Sequence, residues 1–493
     1  MSDDSDYIET NTTASDDTSD MESRASSSKG SPISRSIIAE IDNYEDLEEE
    51  ILYWIDEYIH LDPLLCSSPD FEETLIEDIA EFCHESWKVA GKSYSNYDDY
   101  EELVETLLEN YYDFSDTPRR SEPYREVIQL TDPVINLKLQ DKIAHLQSIP
   151  QPKQRTPEWY EFRNNLITAS NLWKVFGSPA TVNSLIYEKC NATSGGDNAD
   201  TRSQTVNTNS PMHWGVRYEP VTVMLYEKIF QTKVSDFGCI PHPRVSCVGA
   251  SPDGINTDLT NPTLYGRMLE IKNIWNREIT GIPKEEYWIQ IQTQLETCDL
   301  DECDFVETRV KEYESEDAFY GDEASMLDKP RGVILYFVQS TEGVGSSDSR
   351  RITYDHNPVY KYMPLQDEPY DKTSVDNWTE EQRILCREEN LVLFQPIYWY
   401  LDEVSCVLVK RNRVWFQAAE QQIRAVWNII TEERVSGYEH RLPRKRTKSN
   451  DIVVEVVDSG TGEASDGKSQ QIRNLPKNTM VCLIKLDSNG ELI

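Results

Sequence analysis

The sequence predicts an α/β core behind an acidic helical region, and three observations carry that expectation. Apolar residues recur at helical spacing through residues 35–150. Short strand-like runs alternate with helical stretches between 151 and 440. Both ends of the chain are polar. Strands flanked by helices bury both faces of a sheet, as an α/β arrangement requires. At 493 residues the chain suits two or three domains.

The formal net charge of −40 is unevenly spread. Residues 1–150 hold 10 Lys and Arg against 37 Asp and Glu, residues 151–312 hold 16 against 21, and residues 313–493 hold 22 against 30. A uniformly acidic surface repels a nucleic-acid backbone, but a nearly balanced middle can still present a local basic groove. Ten cysteines are scattered with no C-x-x-C pair, which argues against close-spaced thiolate metal sites and for buried, reduced thiols. The N-terminus is polar and acidic, unlike a secretory signal, and no apolar run approaches a membrane span. The expectation is a soluble intracellular chain with no membrane partner.

Residues 1–34, rich in Ser, Thr and Asp, read as a disordered acidic tail. In 35–150, Leu47, Ile51, Trp54, Ile55, Tyr58 and Ile59 share a helical face, and Pro63, Pro69 and Pro118 break the runs. This region is either a solvated helical appendage or an arm that docks a partner or mimics DNA. A mixed α/β domain over 151–440 opens with a polar linker at 151–156. Thr156 and Pro157 form a helix start. Residues 191–211 read as a loop, 218–229 and 285–297 as helices, and 234–240, 245–250, 265–274, 304–310 and 332–339 as strands. Residues 340–380 are turn-rich, 414–433 are helical, and 441–493 begin with a basic run before a polar tail with one apolar stretch at 480–486.

The chemistry begins at Ser251-Pro252-Asp253-Gly254. Pro-Asp-Gly alone marks a turn. Seventeen residues after Asp253 comes Leu269-Glu270-Ile271-Lys272-Asn273. On a strand, Glu270 and Lys272 share one face while Leu269 and Ile271 share the other. Two carboxylates, Asp253 and Glu270, suit a hard divalent cation, with the Ile271 carbonyl as a further oxygen ligand. Such a metal activates water and stabilises phosphoryl charge, and Lys272 can orient or help deprotonate that water. No nucleophile–histidine arrangement is recognisable, and the histidines have no ligand spacing.

Three further motifs accompany this pair. Trp159-Tyr160-Glu161-Phe162-Arg163 precedes Ile167-Thr168-Ala169-Ser170, where Arg163 and Ser170 suit a phosphate, although an aromatic stripe is also ordinary core. Trp214-Gly215-Val216-Arg217-Tyr218-Glu219 offers Glu219 as a third acid or as an exposed helix glutamate. In Tyr287-Trp288-Ile289-Gln290-Ile291-Gln292-Thr293-Gln294, helical spacing puts Gln290 and Gln294 on one face and Gln292 on another.

WYEFR…ITAS, WGVRYE, SPDGI, LEIKN and YWIQIQTQLE, in that order over about residues 155–312, resemble the lambda-type exonuclease family, the YqaJ-like viral recombinase branch of the PD-(D/E)xK nucleases with homologues in giant DNA viruses. The resemblance implies a restriction-endonuclease-like core with a central mixed β-sheet flanked by helices. It implies Asp253 and Glu270 as metal ligands, Lys272 as the catalytic lysine, Glu219 as an assisting acid and Gln290 as the active-site glutamine. Arg163 and Ser170 fall on positions that bind a terminal 5′-phosphate. The implied activity is Mg²⁺-dependent (with Mn²⁺ as an alternative) removal of nucleotides from the 5′ strand of linear duplex DNA in recombination or repair. Implied partners are double-stranded DNA ends, a single-strand annealing protein or helicase, and further copies of the chain in a ring-shaped trimer. An endonuclease and a non-catalytic end-binding scaffold are the alternatives. The wide gap between Asp253 and Glu270 departs from the family pattern and implies an elongated hairpin.

Overall fold

The computed structural model describes residues 32–92, 96–123, 133–152, 156–191, 207–322, 329–341, 353–366 and 368–442. The acidic tail before residue 32, most of the 191–211 loop, and residues 443–493 with most of the basic run and the apolar stretch lie outside the described residues.

The helical region comprises α1 (Pro32–Leu61), α2 (Phe71–Val89), α3 (Tyr97–Phe114) and α4 (Pro133–Ser148). Leu47, Ile51, Ile55 and Ile59 are buried along one stripe of α1, as the helical period requires. Pro63 opens a single 3₁₀ turn, Pro63–Ser67, which redirects the chain into α2. These helices share one continuous apolar cluster with Trp288, Phe305 and Trp415 of the α/β core, so the region is packed onto the core.

Strand β1 (Glu122–Pro123) lies between α3 and α4 and pairs with the core sheet. Then come α5 (Pro157–Asn164), β2 (Ile167–Thr168), α6 (Ala169–Leu172), α7 (Pro179–Asn191), α8 (Pro211–Phe230), β3 (Val234–Ser235), β4 (Ile240–Pro241), β5 (Val248–Ala250), β6 (Gly254–Asn256) and β7 (Met268–Asn273). The chain continues through α9 (Glu285–Cys298), β8 (Glu302–Glu312), α10 (Glu316–Gly321), β9 (Arg331–Thr341), β10 (Thr353–Tyr362), α11 (Lys372–Glu388), β11 (Leu391–Lys410) and α12 (Arg413–Ser436). Eight strands form one sheet in the order β10-β9-β11-β8-β7-β6-β3, with β1 added beside β11. The β7–β8 pair is parallel and its neighbours are antiparallel, giving the expected mixed sheet flanked by helices. A parallel pair needs a crossover, and α9 supplies it. A second, three-stranded sheet runs β2-β5-β4.

Local chemistry explains several boundaries. Thr156 caps α5 by accepting from the Trp159 amide at 3.3 Å, with Pro157 in the first turn. Ser210 caps α8 in the same way at 3.2 Å. Two stretches differ from the sequence expectation. The turn-rich segment 340–380 contains β10 and the start of α11, and β11 runs for 20 residues where no strand was expected. β10 lies at the sheet edge, which tolerates Pro358, and a register shift between Asp355 and Pro358 breaks its alternation. β11 carries Pro396 and two register shifts, so its period-two pattern is scrambled.

Candidate acid and lysine site

The Pro-Asp-Gly turn joins β5 to β6, next to β7. Gly254 is required there because a Cβ would fall 2.1 Å from Val234 Cγ1 of β3. The turn aims Asp253 at β7, where its Oδ2 accepts from the Ile271 amide at 2.7 Å. Alternation then sorts β7. Leu269 and Ile271 pack with Tyr226 and Val306, while Glu270 and Lys272 face α9.

Glu270 is fully buried, and all of its described donors come from the site. Gln290 donates to its Oε1 at 2.7 Å and Gln294 to its Oε2 at 2.7 Å, while Lys272 forms an ion pair with Oε1. Gln294 also donates to the Ser251 carbonyl at 3.2 Å, tying the turn to the strand. Gln292 leaves this face, donating to the Lys410 carbonyl at 2.9 Å and accepting from the Asn412 amide at 2.7 Å. The Lys272 ammonium lies 4.9 Å over the Tyr287 ring, which Arg277 also covers at 5.7 Å.

Electrostatics bind these groups together. Burial first, then the neighbouring Glu270, pushes the Asp253 carboxyl well above the usual carboxylate range, and Glu219 adds to the shift. Burial works to lower the Lys272 ammonium, but Glu270 and Asp253 together more than offset it and hold it above the ordinary lysine value. Two acids and one ammonium therefore share a poorly hydrated corner.

A cavity of about 600 Å³ opens beside the turn, lined by Asp253, Glu219, Arg163, Trp159 and Asp236 among others. Glu219 reaches it from the exposed side of α8. Arg163, at the end of α5, stacks 4.4 Å over Trp159, and burial lowers its pKa. Behind it, buried Lys189 donates to the Arg163 carbonyl at 3.1 Å, its own pKa lowered by burial to about 8. Arg434 of α12 donates to the Lys189 carbonyl at 2.9 Å. Among the lining residues Asp253, Glu219 and Asp236 are acidic and Arg163 is the cation. Ser170 is not in this lining: it starts α6, its hydroxyl 3.3 Å from that of Thr168. Asp253, Glu270, Ile271, Lys272 and Gln290 converge, and Arg163 and Glu219 share a cavity with Asp253.

Gln294, Tyr287, Arg277 and Asp236 were not singled out as site residues by sequence reasoning. Gln294 was legible from its helical partnership with Gln290. Tyr287 was legible in the same way, three residues before Gln290 on α9, whereas Arg277 and Asp236 follow only from how their loops fold. His213 and His242 are structural: His213 bonds the Tyr360 hydroxyl at 2.7 Å, and His242 accepts from the Arg244 and Val245 amides.

The mixed sheet thus presents a turn aspartate against an E-x-K strand. Residues 158–301 match the YqaJ-like viral recombinase domain, and that stretch holds Arg163, Ser170, Glu219, Asp253, Glu270, Ile271, Lys272 and Gln290. Uncharacterized protein R354 of Acanthamoeba polyphaga mimivirus is 26% identical over 309 residues, covering 58% of this chain and 54% of that protein. The chain thus spans about half the length of the curated relative it matches. Crystal structures of LHK-Exo, an alkaline exonuclease from Laribacter hongkongensis, one of them in complex with dAMP, align with 57% of this chain and 94% of theirs at 19% identity and a TM-score of 0.31.

Proposed function

We propose that the chain is a metal-dependent DNA nuclease that hydrolyses phosphodiester bonds of linear duplex DNA, working from the 5′ strand in recombination or repair. The observation that carries this reading is the convergence of Asp253, Glu270 and Lys272 on one corner, beside a cavity that Arg163 also lines. The YqaJ-like viral recombinase match over the same residues supports it.

The donor set fits a hard divalent cation, Mg²⁺ or Mn²⁺. Among the described residues no group of three or more His, Cys, Asp and Glu side chains is placed to hold a metal ion. Mg²⁺ rarely uses such a group: it takes one or two carboxylates and keeps water and phosphate oxygens in its remaining positions. Asp253 and Glu270 would hold it, with the Ile271 carbonyl on the Asp253 side of β7, because a strand residue aims its amide and carbonyl at the same neighbour. Bound there, the ion would lower the pKa of a water and neutralise phosphoryl charge.

The chain's own residues do the rest. Gln290 and Gln294 fix both oxygens of Glu270, so the carboxylate needs no reorganisation. Lys272 holds a proton and a positive charge beside the acids, where an attacking water must be oriented. Glu219 adds a further carboxylate at the cavity mouth, and Arg163 offers a desolvated guanidinium to a terminal phosphate.

The test is digestion of linear and closed circular duplex with Mg²⁺ by the wild type and by Asp253→Ala. Cleavage of linear DNA by the wild type, lowered at least ~1,000-fold in the variant, is expected from loss of a metal ligand. Equal cleavage by both proteins would end this reading. Arg163→Ala should reduce the preference for 5′-phosphorylated over unphosphorylated ends, read by comparing rates on the two substrates.

A further inference from the structure

The helical region reaches into the site from behind. Arg120, just before β1, is only 5% exposed, and among the described residues no carboxylate is hydrogen-bonded to its guanidinium. Its Nη2 donates to the Ser67 carbonyl at 3.1 Å and to the Pro283 carbonyl at 2.5 Å. Pro283 belongs to the loop joining β7, which carries Glu270 and Lys272, to α9, which carries Gln290 and Gln294. The Arg120 carbonyl in turn accepts from Trp288 Nε1 of α9 at 2.9 Å. Ser67 donates to Glu285 in the first turn of α9 at 3.0 Å. At the other end of that helix, Lys142 of α4 donates to the Asp299 carbonyl at 2.6 Å and pairs with its carboxylate at 2.9 Å.

Both ends of α9 are therefore gripped by the helical region. α9 is also the element whose two amides hold Glu270. A helix free to slide by one ångström would carry Gln290 and Gln294 out of hydrogen-bond range, and misplacements of that size cost on the order of 100-fold in rate. We propose that Arg120 is a positioning residue for the acid site, and that the acidic helical region is a built-in brace for α9. This rests on the nuclease reading of the site.

The test compares Arg120→Ala, Trp288→Phe and Arg119→Ala in the full chain, on linear duplex with Mg²⁺. Trp288→Phe removes the N–H donor and part of the buried indole while keeping an aromatic ring, so its melting temperature is measured alongside the rates. Arg119 is the control: it sits at the same junction but pairs with Glu72 inside the helical region. Arg120→Ala should lower kcat at least ~10-fold and Trp288→Phe about 3-fold, with KM for DNA within about 2-fold and a higher Mg²⁺ midpoint in both. Arg119→Ala should match the wild type in all three. Unchanged kcat and Mg²⁺ midpoint in both Arg120→Ala and Trp288→Phe would overturn the inference. So would an equal loss in Arg119→Ala, which would mark general destabilisation. A wild type that fails to cleave refutes the nuclease reading itself and this inference with it, whereas a cleaving wild type with silent variants refutes only the brace.

Discussion

In α2 the acids Glu73, Glu81 and Glu85 face solvent, whereas in β7 and β8 Glu270, Asp304 and Glu307 are each at most 1% exposed. The first group needs no dedicated partner because water solvates it. The second group would be costly without one, and each has it. Tyr226 donates to Asp304 at 2.6 Å with Arg267 beyond, and Arg277 pairs with Glu307. Glu270 differs from those two. It receives two neutral amides and one lysine in place of an arginine, next to the second carboxyl of Asp253. Arginine-paired acids have their charge matched by a rigid fork. Amides fix the oxygens without cancelling the charge, which leaves a carboxylate oriented for a further cation. Burial alone therefore does not separate architecture from chemistry. The kind of donor does.

The two faces of α9 sharpen this most. Gln294→Ala removes two bonds, to Glu270 and to the Ser251 carbonyl, and should lower cleavage per folded molecule by about 10- to 100-fold, in addition to a stability cost of about 1–3 kcal/mol. Gln292→Ala removes the bonds to Lys410 and Asn412, far from the acids. It should cost about 1–3 kcal/mol of stability while leaving kcat per folded molecule unchanged. Denaturant titrations alongside steady-state rates read both. Equal kcat losses in the two variants would break the distinction between orienting and architectural amides.

That distinction was partly legible in the sequence. Helical spacing separates Gln290 and Gln294 from Gln292, and strand alternation separates Glu270 and Lys272 from Leu269 and Ile271, because both periods are fixed by backbone geometry. The caps at Thr156 and the parallel pair bridged by α9 follow from equally local signals. What local spacing does not encode is which distant segment supplies a donor. Arg120 lies 163 residues from Pro283 and 168 from Trp288, and nothing around it marks a contact. β11 was illegible for a different reason: its register shifts and Pro396 disturb the alternation by which a strand is read. The Ser170 hydroxyl carried a phosphate role by resemblance, yet it stands outside the lining of the cavity that holds Arg163.

A smaller effect separates a buried acid from solvent by pH. Burial, opposed by Arg267, raises the Asp304 carboxyl from 3.8 to about 6. The folded protein thus binds this proton more tightly than the unfolded chain does. The resulting stabilisation is full below about pH 4 and is lost as pH rises through 6. Asp304→Asn removes that dependence. Between pH 4 and 7 the difference in unfolding free energy between wild type and variant should shift by up to about 3 kcal/mol, the wild type losing ground as pH rises. A difference flat with pH would mean the carboxyl titrates as an exposed acid does.

The smallest effect belongs to the outer surface. Lys88 pairs with Glu85 at 3.4 Å, one turn along α2, and both side chains are more than half exposed. Water and salt screen such a pair, and ordering two long side chains offsets much of the attraction. Lys88→Ala should therefore change unfolding free energy by less than about 0.5 kcal/mol, and the change should vanish in 0.5 M salt. The substitution also makes an already acidic helix one unit more negative. If the variant instead loses more than about 1 kcal/mol, and salt restores it, then the solvent-facing acids repel one another strongly enough to act as a group. The contrast with the core would then be one of collective against individual charge, rather than of idle against working carboxylates.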